Sequence, residues 1–345
     1  MKTTAALLIQ TGQPLELVEL EIPVLKPGQV LVEVAFSGVC HTQLLECRGH
    51  RGEDKFLPHC LGHEGSGVVV EVGAGVAKVK VGDSVVLSWI KGSGADVPGS
   101  VYQSSLGKVN AGAITTFGRH AVVSENRLTV IPAGLPMHLA ALLGCAVPTG
   151  MGAVLNTAVA RPGQSVVVFG TGGVGLCAVM GAALSGCHPI VAVDMHTERL
   201  QSALAMGATH TVQAGGGAQA ALLELAPQGF DVAIETSGRP DVMAQALASV
   251  RSQGGSAVIV GNARHGEMIS LDPRQLNQGK RLLGTWGGDS QPDRDYPRYA
   301  RLVVAGKLDL KPLLTKVYSL AEINTALDDL EQGRGNRPLV DLSVA

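Results

Sequence analysis

The strongest constraint on the fold is a short apolar run that leads directly into a glycine-rich turn. Residues 165–169 include four apolar side chains and predict a buried strand, and residues 176–184 predict a helix of small residues. The glycines between them have the spacing G-x-G-x-x-G. In such a turn the glycines allow a tight bend and a close backbone approach to a pyrophosphate, while the helix N-terminus supplies amide donors. We therefore predict a dinucleotide site at Gly170, Gly172, Gly173, Val174 and Gly175.

A carboxylate follows this turn at the distance that dinucleotide sites use. A second apolar run, 189–193, predicts another buried strand, and Asp194 ends it. An acid about 20 residues beyond the glycines accepts hydrogen bonds from the adenosine ribose and repels a 2′-phosphate. Asp194 therefore predicts NAD rather than NADP as the cofactor.

The chain divides into two kinds of sequence pattern. From about 147 to 288 strands alternate with helices, which is typical of a parallel sheet that binds ligands at the carboxyl ends of its strands. The strands expected there are 165–169, 190–194, 231–235 and 256–260, and the helices are 198–206, 218–225 and 242–250. The first third is β-rich and punctuated by Pro and Gly, with expected strands at 15–20, 29–36, 67–72, 83–87 and 117–123. The tail predicts helices at 299–304 and 321–332 and a strand at 337–342.

Bulk properties narrow the class of protein. A chain of 345 residues favours two domains, each with its own core. A formal net charge of −2 without a basic block argues against a nucleic-acid partner. No apolar run approaches the roughly 18 residues that span a bilayer, so no membrane association is expected. Six cysteines in a chain this long favour cytosolic thiols or metal ligands over a disulfide framework, which predicts a cytoplasmic α/β enzyme.

Three residues ahead of the nucleotide half form a candidate metal site. Cys40, His63 and Cys145 offer two thiolates and one imidazole. Three protein ligands with a fourth position open are typical of catalytic rather than structural zinc. The three residues are far apart in sequence, so their spacing alone does not establish the site. Cys47 and Cys60 remain alternative ligands, with a loop thiol and a strand residue as their simpler interpretations.

The motifs around these residues resemble the medium-chain, zinc-dependent alcohol dehydrogenases. Gly62-His63-Glu64-x-x-Gly67 is similar to the zinc signature of that family. Cys40-His41-Thr42, Gly144-Cys145-x-x-x-Thr149-Gly150 and the glycine turn follow in the family's order, over nearly the whole chain. The resemblance implies a GroES-like, β-rich catalytic domain interrupted by a Rossmann domain with a doubly wound parallel sheet. The expected bounds are 1–146 for the catalytic domain, 147–288 for the NAD-binding domain, and 289–345 for a return to the catalytic domain.

The resemblance also implies roles for individual residues. Cys40, His63 and Cys145 match the zinc ligands, Thr42 matches the hydroxyl that bonds the substrate oxygen and starts a proton relay, and Glu64 matches a carboxylate behind the metal. The cofactor positions are His41 and Arg337 at the pyrophosphate, Thr149 at the nicotinamide, and Asp194 and Arg199 at the adenosine ribose. The substrate-pocket positions are Trp89, Phe117 and Trp286, for which a plain core role is an equal alternative.

Three departures from the family pattern qualify these roles. The tract 89–103 has none of the four cysteines that often hold a structural zinc, so only one catalytic zinc per chain is expected. Leu45 stands where many members carry the relay histidine, and His50, His59 and His120 are candidates to replace it. Gln43 stands where an aspartate usually supports the zinc-bound histidine; its amide oxygen could accept that N–H without adding charge.

The implied activity is reversible oxidation of an alcohol to an aldehyde or ketone, with hydride transfer to NAD. A polyol or sugar-derivative dehydrogenase is an alternative, although those relatives usually place Glu at the position of Cys145. A zinc-free reductase would lack the Cys/His set, and a noncatalytic NAD-binding protein is the alternative from another class. The expected partners are a small-molecule alcohol or carbonyl substrate and further copies of the chain, as a homodimer or a homotetramer.

Overall fold

The computed structural model describes residues 1–343 and divides them into two compact units. Unit 1 comprises Met1–Cys145 together with the chain from Gln291 onward, and unit 2 comprises Ala146–Ser290. The bounds expected from the sequence, after 146 and after 288, lie within two residues of these. Unit 2 is thus inserted between two chain segments that build unit 1 together.

Within residues 1–343 the structure has eighteen strands and ten α-helices. The strands are β1 Lys2–Leu8, β2 Glu16–Glu21, β3 Gln29–Gly38, β4 His59–Cys60, β5 Glu64–Val72, β6 Ser84–Ser88, β7 Val101–Ser104, β8 Gly107–Asn110, β9 His120–Ser124, β10 Leu128–Val130, β11 Val166–Phe169, β12 Ile190–Asp194, β13 His210–Gln213, β14 Val232–Glu235, β15 Ser256–Ile259, β16 Arg281–Gly284, β17 Val317–Ser319 and β18 Leu339–Asp341. The helices are α1 His41–Cys47, α2 Met137–Ala140, α3 Ala146–Gly152, α4 Gly173–Leu184, α5 Thr197–Ala205, α6 Ala218–Leu225, α7 Pro240–Ser249, α8 Arg274–Asn277, α9 Pro292–Val304 and α10 Ile323–Glu331.

Unit 1 is built from two β structures. Strands β1, β2, β7, β8 and β4 close into a small barrel, and β10, β6, β5, β3, β18 and β17 form a sheet in that order, with β9 also paired to β3. The long pair β3–β5 runs antiparallel and its apolar side chains enter a core of mainly Val and Leu residues. The last strand, β18, pairs with β3 with Leu339 opposite Gly38, so the chain end completes the sheet begun by the first third.

Unit 2 is a doubly wound parallel sheet, as the sequence predicts. Its strand order is β13-β12-β11-β14-β15-β16, and every pair is parallel. Numbered within the unit this is 3-2-1-4-5-6, the order of dinucleotide-binding sheets, with its switch point beside β11. The central strands are buried runs of Val, Ile and Ala, which is what strands covered on both faces require.

No single helix within residues 1–343 is long and apolar enough to cross a membrane. Two consecutive helical stretches, Met137–Gly144 and Ala146–Thr157, meet the criteria for length and composition only when they are taken together.

Candidate active site

The pairing of β3 with β5 brings two of the candidate ligands together. Ser37, near the end of β3, lies opposite Gly65, near the start of β5. Cys40 follows β3 as the N-cap of α1, and His63 directly precedes β5. Gly62 has a φ of 90°, and a Cβ there would lie 2.4 Å from Thr116 Oγ1, so only glycine fits the bend before His63.

The third ligand reaches the same place through β6. Glu64 on β5 pairs with Ser88 on β6, and the Ser88 hydroxyl donates to the Gly144 carbonyl at 2.7 Å. A Cβ at Gly144 would lie 2.4 Å from the Leu87 carbonyl oxygen, so this close approach requires glycine. Cys145 is thereby held beside His63, with 3.2 Å between its Sγ and Nε2.

The three side chains form a donor set that suits zinc. The ligand atoms of Cys40, His63 and Cys145 all lie within 4.8 Å of one another. Zn–S bonds of about 2.3 Å and Zn–N bonds of about 2.0–2.1 Å place tetrahedral ligands about 3.5–3.8 Å apart. Two soft thiolates and one imidazole are typical zinc donors, and three protein ligands leave the fourth position to a substrate. These residues therefore fit a catalytic zinc.

The electrostatics of this cluster already favour one thiolate. The Cys145 thiol donates a hydrogen bond to Cys40, which lowers the pKa of Cys40 well below its ordinary value in spite of burial. The same bond, together with burial, raises the pKa of Cys145. Burial would lower the pKa of His63, but the charges of Cys40 and Glu64 outweigh it and raise that pKa. Binding of a metal must displace the proton that the two cysteines share.

A buried ion pair lies next to the cluster. Glu64 is fully buried, and burial raises the pKa of its carboxyl. Arg337, which is 3% exposed, donates to Glu64 Oε1 from Nε at 2.8 Å and also from Nη2. No local sequence signal could reveal this pair, because the residues come from opposite ends of the chain. The role at the cofactor pyrophosphate stays a prediction for Arg337, whose guanidinium here serves Glu64.

Gln43 supports His63 differently from the expectation. Its amide oxygen accepts the backbone N–H of Cys40 at 3.1 Å, which is one half of a capping box on α1. The amide nitrogen, and not the oxygen, therefore faces Nδ1 of His63 in a short hydrogen bond. In this arrangement Nδ1 is the acceptor and Nε2 carries the proton.

Of the other predicted site residues in unit 1, two lie beside the candidate ligands, one is buried in the core and one is exposed. Thr42 Oγ1 lies 3.8 Å from Cys40 Sγ, beside the cluster. The Trp89 and His63 rings are inclined at 66° with 6.4 Å between their centroids, and the Trp89 backbone N–H donates to the His63 carbonyl. Phe117 is fully buried in the core of unit 1, and His41 is exposed at the start of α1.

The glycine turn of unit 2 has the geometry that its sequence predicts. Gly170 has a φ of 82°, and a Cβ at Gly175 would lie 1.9 Å from the Gly170 carbonyl oxygen. Asp194 accepts the Thr171 N–H at 2.6 Å and the His196 N–H at 2.9 Å. The carboxylate thus links the turn to the loop before α5.

Two predicted cofactor residues carry buried polar atoms without a partner. Within residues 1–343, Thr149 Oγ1 and Arg199 Nε make no hydrogen bond. A Cβ at Gly150 would lie 2.2 Å from the Val174 carbonyl oxygen, so Thr149 sits where α3 packs closely on the glycine turn. Buried polar atoms without partners are costly unless a ligand satisfies them.

Trp286, expected in the substrate pocket, is 74% exposed.

Two cysteines considered as alternative ligands, and two histidines considered as relay groups, make other contacts in unit 1. Cys47 and Cys60 belong to hydrophobic cores, and burial raises the pKa of each thiol to about 12. His59 uses both ring nitrogens, on Asp54 and on the Cys60 carbonyl, and His120 contacts Thr3. This region also contains a half-buried carboxylate that no sequence motif indicated: Glu46, four residues after Thr42 on α1.

Comparison with known proteins agrees with this geometry. The family model described as the alcohol dehydrogenase GroES-like domain matches residues 26–133, and the model described as zinc-binding dehydrogenase matches residues 173–305. S-(hydroxymethyl)glutathione dehydrogenase of Escherichia coli O1:K1 / APEC is 35% identical, and the match covers 99% of this chain and all of that protein.

Two crystal structures share the fold over 99% of both chains, each at 31% identity. They are an alcohol dehydrogenase zinc-binding domain protein from Burkholderia ambifaria, with a TM-score of 0.92, and benzyl alcohol dehydrogenase from Acinetobacter calcoaceticus, with a TM-score of 0.90. Unit 1 accordingly contains a GroES-like domain and unit 2 a Rossmann-type domain. The chain is a member of the medium-chain, zinc-dependent alcohol dehydrogenase family, whose chemistry is the oxidoreduction of alcohols and aldehydes.

Proposed function

We propose that this protein interconverts an alcohol and an aldehyde or ketone by hydride transfer to or from NAD, with one catalytic zinc per chain. The observation that carries the proposal is the Cys40–His63–Cys145 donor set, which unit 1 assembles from three separate segments. When bound, zinc supplies a Lewis acid for the alcohol oxygen, and the nicotinamide supplies an acceptor for the hydride.

The protein's own residues have distinct tasks in this chemistry. Thr42, whose Oγ1 lies 3.8 Å from Cys40 Sγ, would hydrogen-bond the substrate hydroxyl and pass its proton outward. Glu64 and Arg337 form a buried ion pair next to the ligands, which fixes the Glu64 carboxylate in place. Trp89 offers an aromatic ring next to His63 against which a substrate can lie. These roles orient the alcohol and remove its proton.

Several features of unit 2 support NAD as the cofactor. The turn from Gly170 to Gly175 leaves its backbone open to a pyrophosphate at the start of α4. Asp194 is held beside that turn, where a negative charge disfavours the 2′-phosphate of NADP. Thr149 Oγ1 and Arg199 Nε are buried donors or acceptors that a bound cofactor would satisfy.

Trp89 and two of the relatives suggest a class of substrate. Trp89 beside His63 favours an alcohol with a flat or apolar body, and one structural relative is a benzyl alcohol dehydrogenase. A sequence relative is named for S-(hydroxymethyl)glutathione. We propose an aryl or alkyl primary alcohol. A polyol or sugar derivative is the second candidate within this fold, with Cys145 in the place of its usual glutamate as the argument against it.

The wild-type, zinc-loaded enzyme tests the proposal directly. Benzyl alcohol, short alkyl alcohols, S-(hydroxymethyl)glutathione and sorbitol are each offered with NAD, and formation of reduced nicotinamide is followed by absorbance. Turnover of an alcohol, with the reverse reaction on its aldehyde, supports the proposal. Zinc and NAD binding without turnover of any alcohol or aldehyde would favour a noncatalytic NAD-binding protein.

We further propose that the protein is a homodimer or homotetramer and that it lies in the cytoplasm. Light scattering tests the oligomeric state, and cell fractionation tests the location.

Asp194→Gly tests the choice of cofactor. Removal of a carboxylate that bonds the ribose costs about 1.5–3 kcal/mol of binding, or roughly 10–100-fold, so the preference for NAD over NADP should fall by that factor. The ratio of kcat/KM for the two cofactors measures it, with Asp241→Gly, an exposed acid on α7, as a control for general effects of lost charge. An unchanged ratio would count against NAD selection by Asp194.

A further inference from the structure

Helix α1 carries a second polar side chain on the same face as Thr42. Thr42 and Glu46 are four residues apart, which places their Cβ atoms about 5–6 Å apart, one turn above the other. Both are half-buried, whereas Gln43, Leu44 and Leu45 are buried. Along this face of α1, the Thr42 hydroxyl therefore comes first, close to Cys40. The Glu46 carboxylate follows one turn later and is partly exposed to solvent.

The surroundings of Glu46 suit a group that gains and loses protons. Arg51 Nη1 lies 3.1 Å from Glu46 Oε1, and the Arg51 side chain is 53% exposed, so the carboxylate is in contact with the solvent side of the loop. Burial raises the pKa of Glu46 and the charge of Cys40 adds to that rise, while the charges of Arg51, His63 and His59 oppose it. A carboxyl shifted towards neutral pH exchanges protons more effectively at that pH.

Two of the three candidate histidines, His59 and His120, are already engaged by other partners. Leu45, at the position where relatives carry a histidine, is buried and has no exchangeable proton. Both ring nitrogens of His59 face oxygen acceptors, Asp54 Oδ2 at 2.7 Å and the Cys60 carbonyl at 3.0 Å. His120 Nδ1 lies 3.1 Å from the Thr3 hydroxyl. Glu46 is the carboxylate that α1 itself places one turn from Thr42.

We propose that Glu46 is the acceptor through which the substrate's proton reaches solvent, in place of a relay histidine at Leu45. This role rests on the proposed alcohol oxidation. The Thr42 hydroxyl takes the proton of the alcohol as it gives its own to the Glu46 carboxylate, directly or through one water. The resulting carboxylic acid then releases the proton to bulk water, so Thr42 and Glu46 both return to their starting states. Glu46 acts through Thr42 and is a positioning and proton-transfer group that does not touch the substrate.

The test compares the zinc-loaded wild type with Glu46→Gln, an isosteric change that cannot carry the proton. Because positioned proton transfer contributes about 10²–10⁴-fold and water can replace part of it, we expect alcohol oxidation near pH 7 to slow about tenfold or more. The loss should shrink at high pH, where hydroxide accepts the proton, and added imidazole should restore the rate of Glu46→Gln. Leu45→His in the Glu46→Gln background should restore turnover without a rescue agent.

Controls separate this role from a structural one. Glu331→Gln removes a glutamate that is likewise paired with an arginine, Arg48 at 2.7 Å, but lies on α10. It should leave the rate, the pH profile and the response to imidazole unchanged. Bound zinc and the thermal midpoint are measured for every variant. The carboxyl carbon of Glu46, followed by ¹³C NMR against pH in the zinc-loaded protein, should titrate above the ordinary glutamate value of about 4.3.

The outcomes are distinguishable. A wild type that oxidises alcohols, with Glu46→Gln equally fast from pH 6 to 9 and indifferent to imidazole, overturns the role of Glu46 and leaves the proposed function intact. A carboxyl that titrates at or below the ordinary value also contradicts it. A zinc-loaded wild type that oxidises no alcohol overturns the proposed function and, with it, the role of Glu46. Slow oxidation that imidazole rescues supports both.

Discussion

At the scale of single residues, Gln43 connects the cap of α1 to the candidate metal ligand His63. Its oxygen caps α1 through the Cys40 N–H, and its nitrogen faces Nδ1 of His63. A metal on Nε2 requires the proton on Nδ1, so this ring nitrogen then needs an acceptor. The Gln43 amide must turn over to provide one, and it thereby gives up the helix cap. The cap of α1 and a metal-binding His63 would therefore each need the same oxygen of Gln43.

Replacing Gln43 with Asp should therefore tighten zinc binding. A carboxylate has oxygens for both the Cys40 N–H and the His63 N–H, and it adds negative charge behind the ligand. Groups that support a ligating histidine typically change metal affinity by about 10–100-fold, so we expect about a tenfold gain by competition with a chromophoric chelator. Gln43→Asn is the matched control, because it has the length of Asp and keeps the amide. Equal zinc affinity of the Asp and Asn variants would contradict this account.

At the scale of elements, the tract 89–103 is held by a carboxylate. Glu125 is 4% exposed, and its Oε2 accepts the N–H groups of Ala77 and Lys78, both at 3.0 Å. Its Oε1 accepts the Ala95 N–H at 2.8 Å. The neighbouring Ser124 hydroxyl accepts the Val97 N–H at 2.9 Å. The segment that carries cysteines in many relatives is thus tied to the strand region by side chains that accept backbone hydrogen bonds.

Glu125→Gln should loosen this tract. The amide offers one acceptor in place of two and turns an NH₂ towards backbone donors, so we expect a loss of about 1–3 kcal/mol. Hydrogen exchange at residues 93–97 and the thermal midpoint of unit 1 are the measurements. Glu71→Gln, an exposed glutamate on β5, serves as the control and should change neither. Exchange at 93–97 that is as slow as in the wild type would rule out the role of Glu125.

The same carboxyl predicts a pH dependence. Burial tends to raise the pKa of Glu125, but the N–H donors of Ala95, Lys78 and Ala77 outweigh burial and lower it. The folded-state pKa therefore lies below the unfolded value of about 4.3. The stabilisation is complete above that value and is lost as the pH falls through the lower, folded pKa. The difference in stability between wild type and Glu125→Gln should shrink over this acidic range.

Some elements of the fold could be predicted from the sequence and others could not. The buried strands β11, β12, β14 and β15 were predictable because they are apolar on both faces and are followed by turns and helices. The edge strands β13 and β16 were missed, since His210 and Arg281 begin short, exposed runs without an apolar pattern. In the candidate site the motifs indicated the three ligands, but they could not indicate the Glu64–Arg337 pair or the orientation of the Gln43 amide. Those depend on contacts between distant segments.

At the scale of the whole molecule, the candidate metal site and the candidate cofactor site belong to separate units. The candidate zinc ligands Cys40, His63 and Cys145 belong to unit 1, and the glycine turn and Asp194 belong to unit 2. Each unit has its own core, and the inserted unit 2 begins directly after the last zinc donor. Binding of either ligand stabilises the unit that holds it by mass action.

Hydrogen exchange with each ligand alone should show this division. Zinc should slow exchange in α1 and around residues 61–66 of unit 1, while residues 166–184 change little. NAD should slow exchange at residues 170–176 and 194–199 of unit 2. The reason is that a ligand suppresses the local openings of the segments it contacts. Protection of the glycine turn by zinc alone, or no protection of unit 2 by NAD, would contradict the assignment of the sites.

Reconstitution of the metal-free protein tests the central claim most directly. The wild type is stripped with a chelator under anaerobic conditions, and bound zinc and NAD-linked alcohol oxidation are measured together as zinc is returned. We predict that activity disappears with the metal and returns in proportion to zinc, up to a single ion per chain, and that His63→Ala neither holds this zinc nor recovers. Full alcohol oxidation by the metal-free wild type, or by His63→Ala, would contradict the claim.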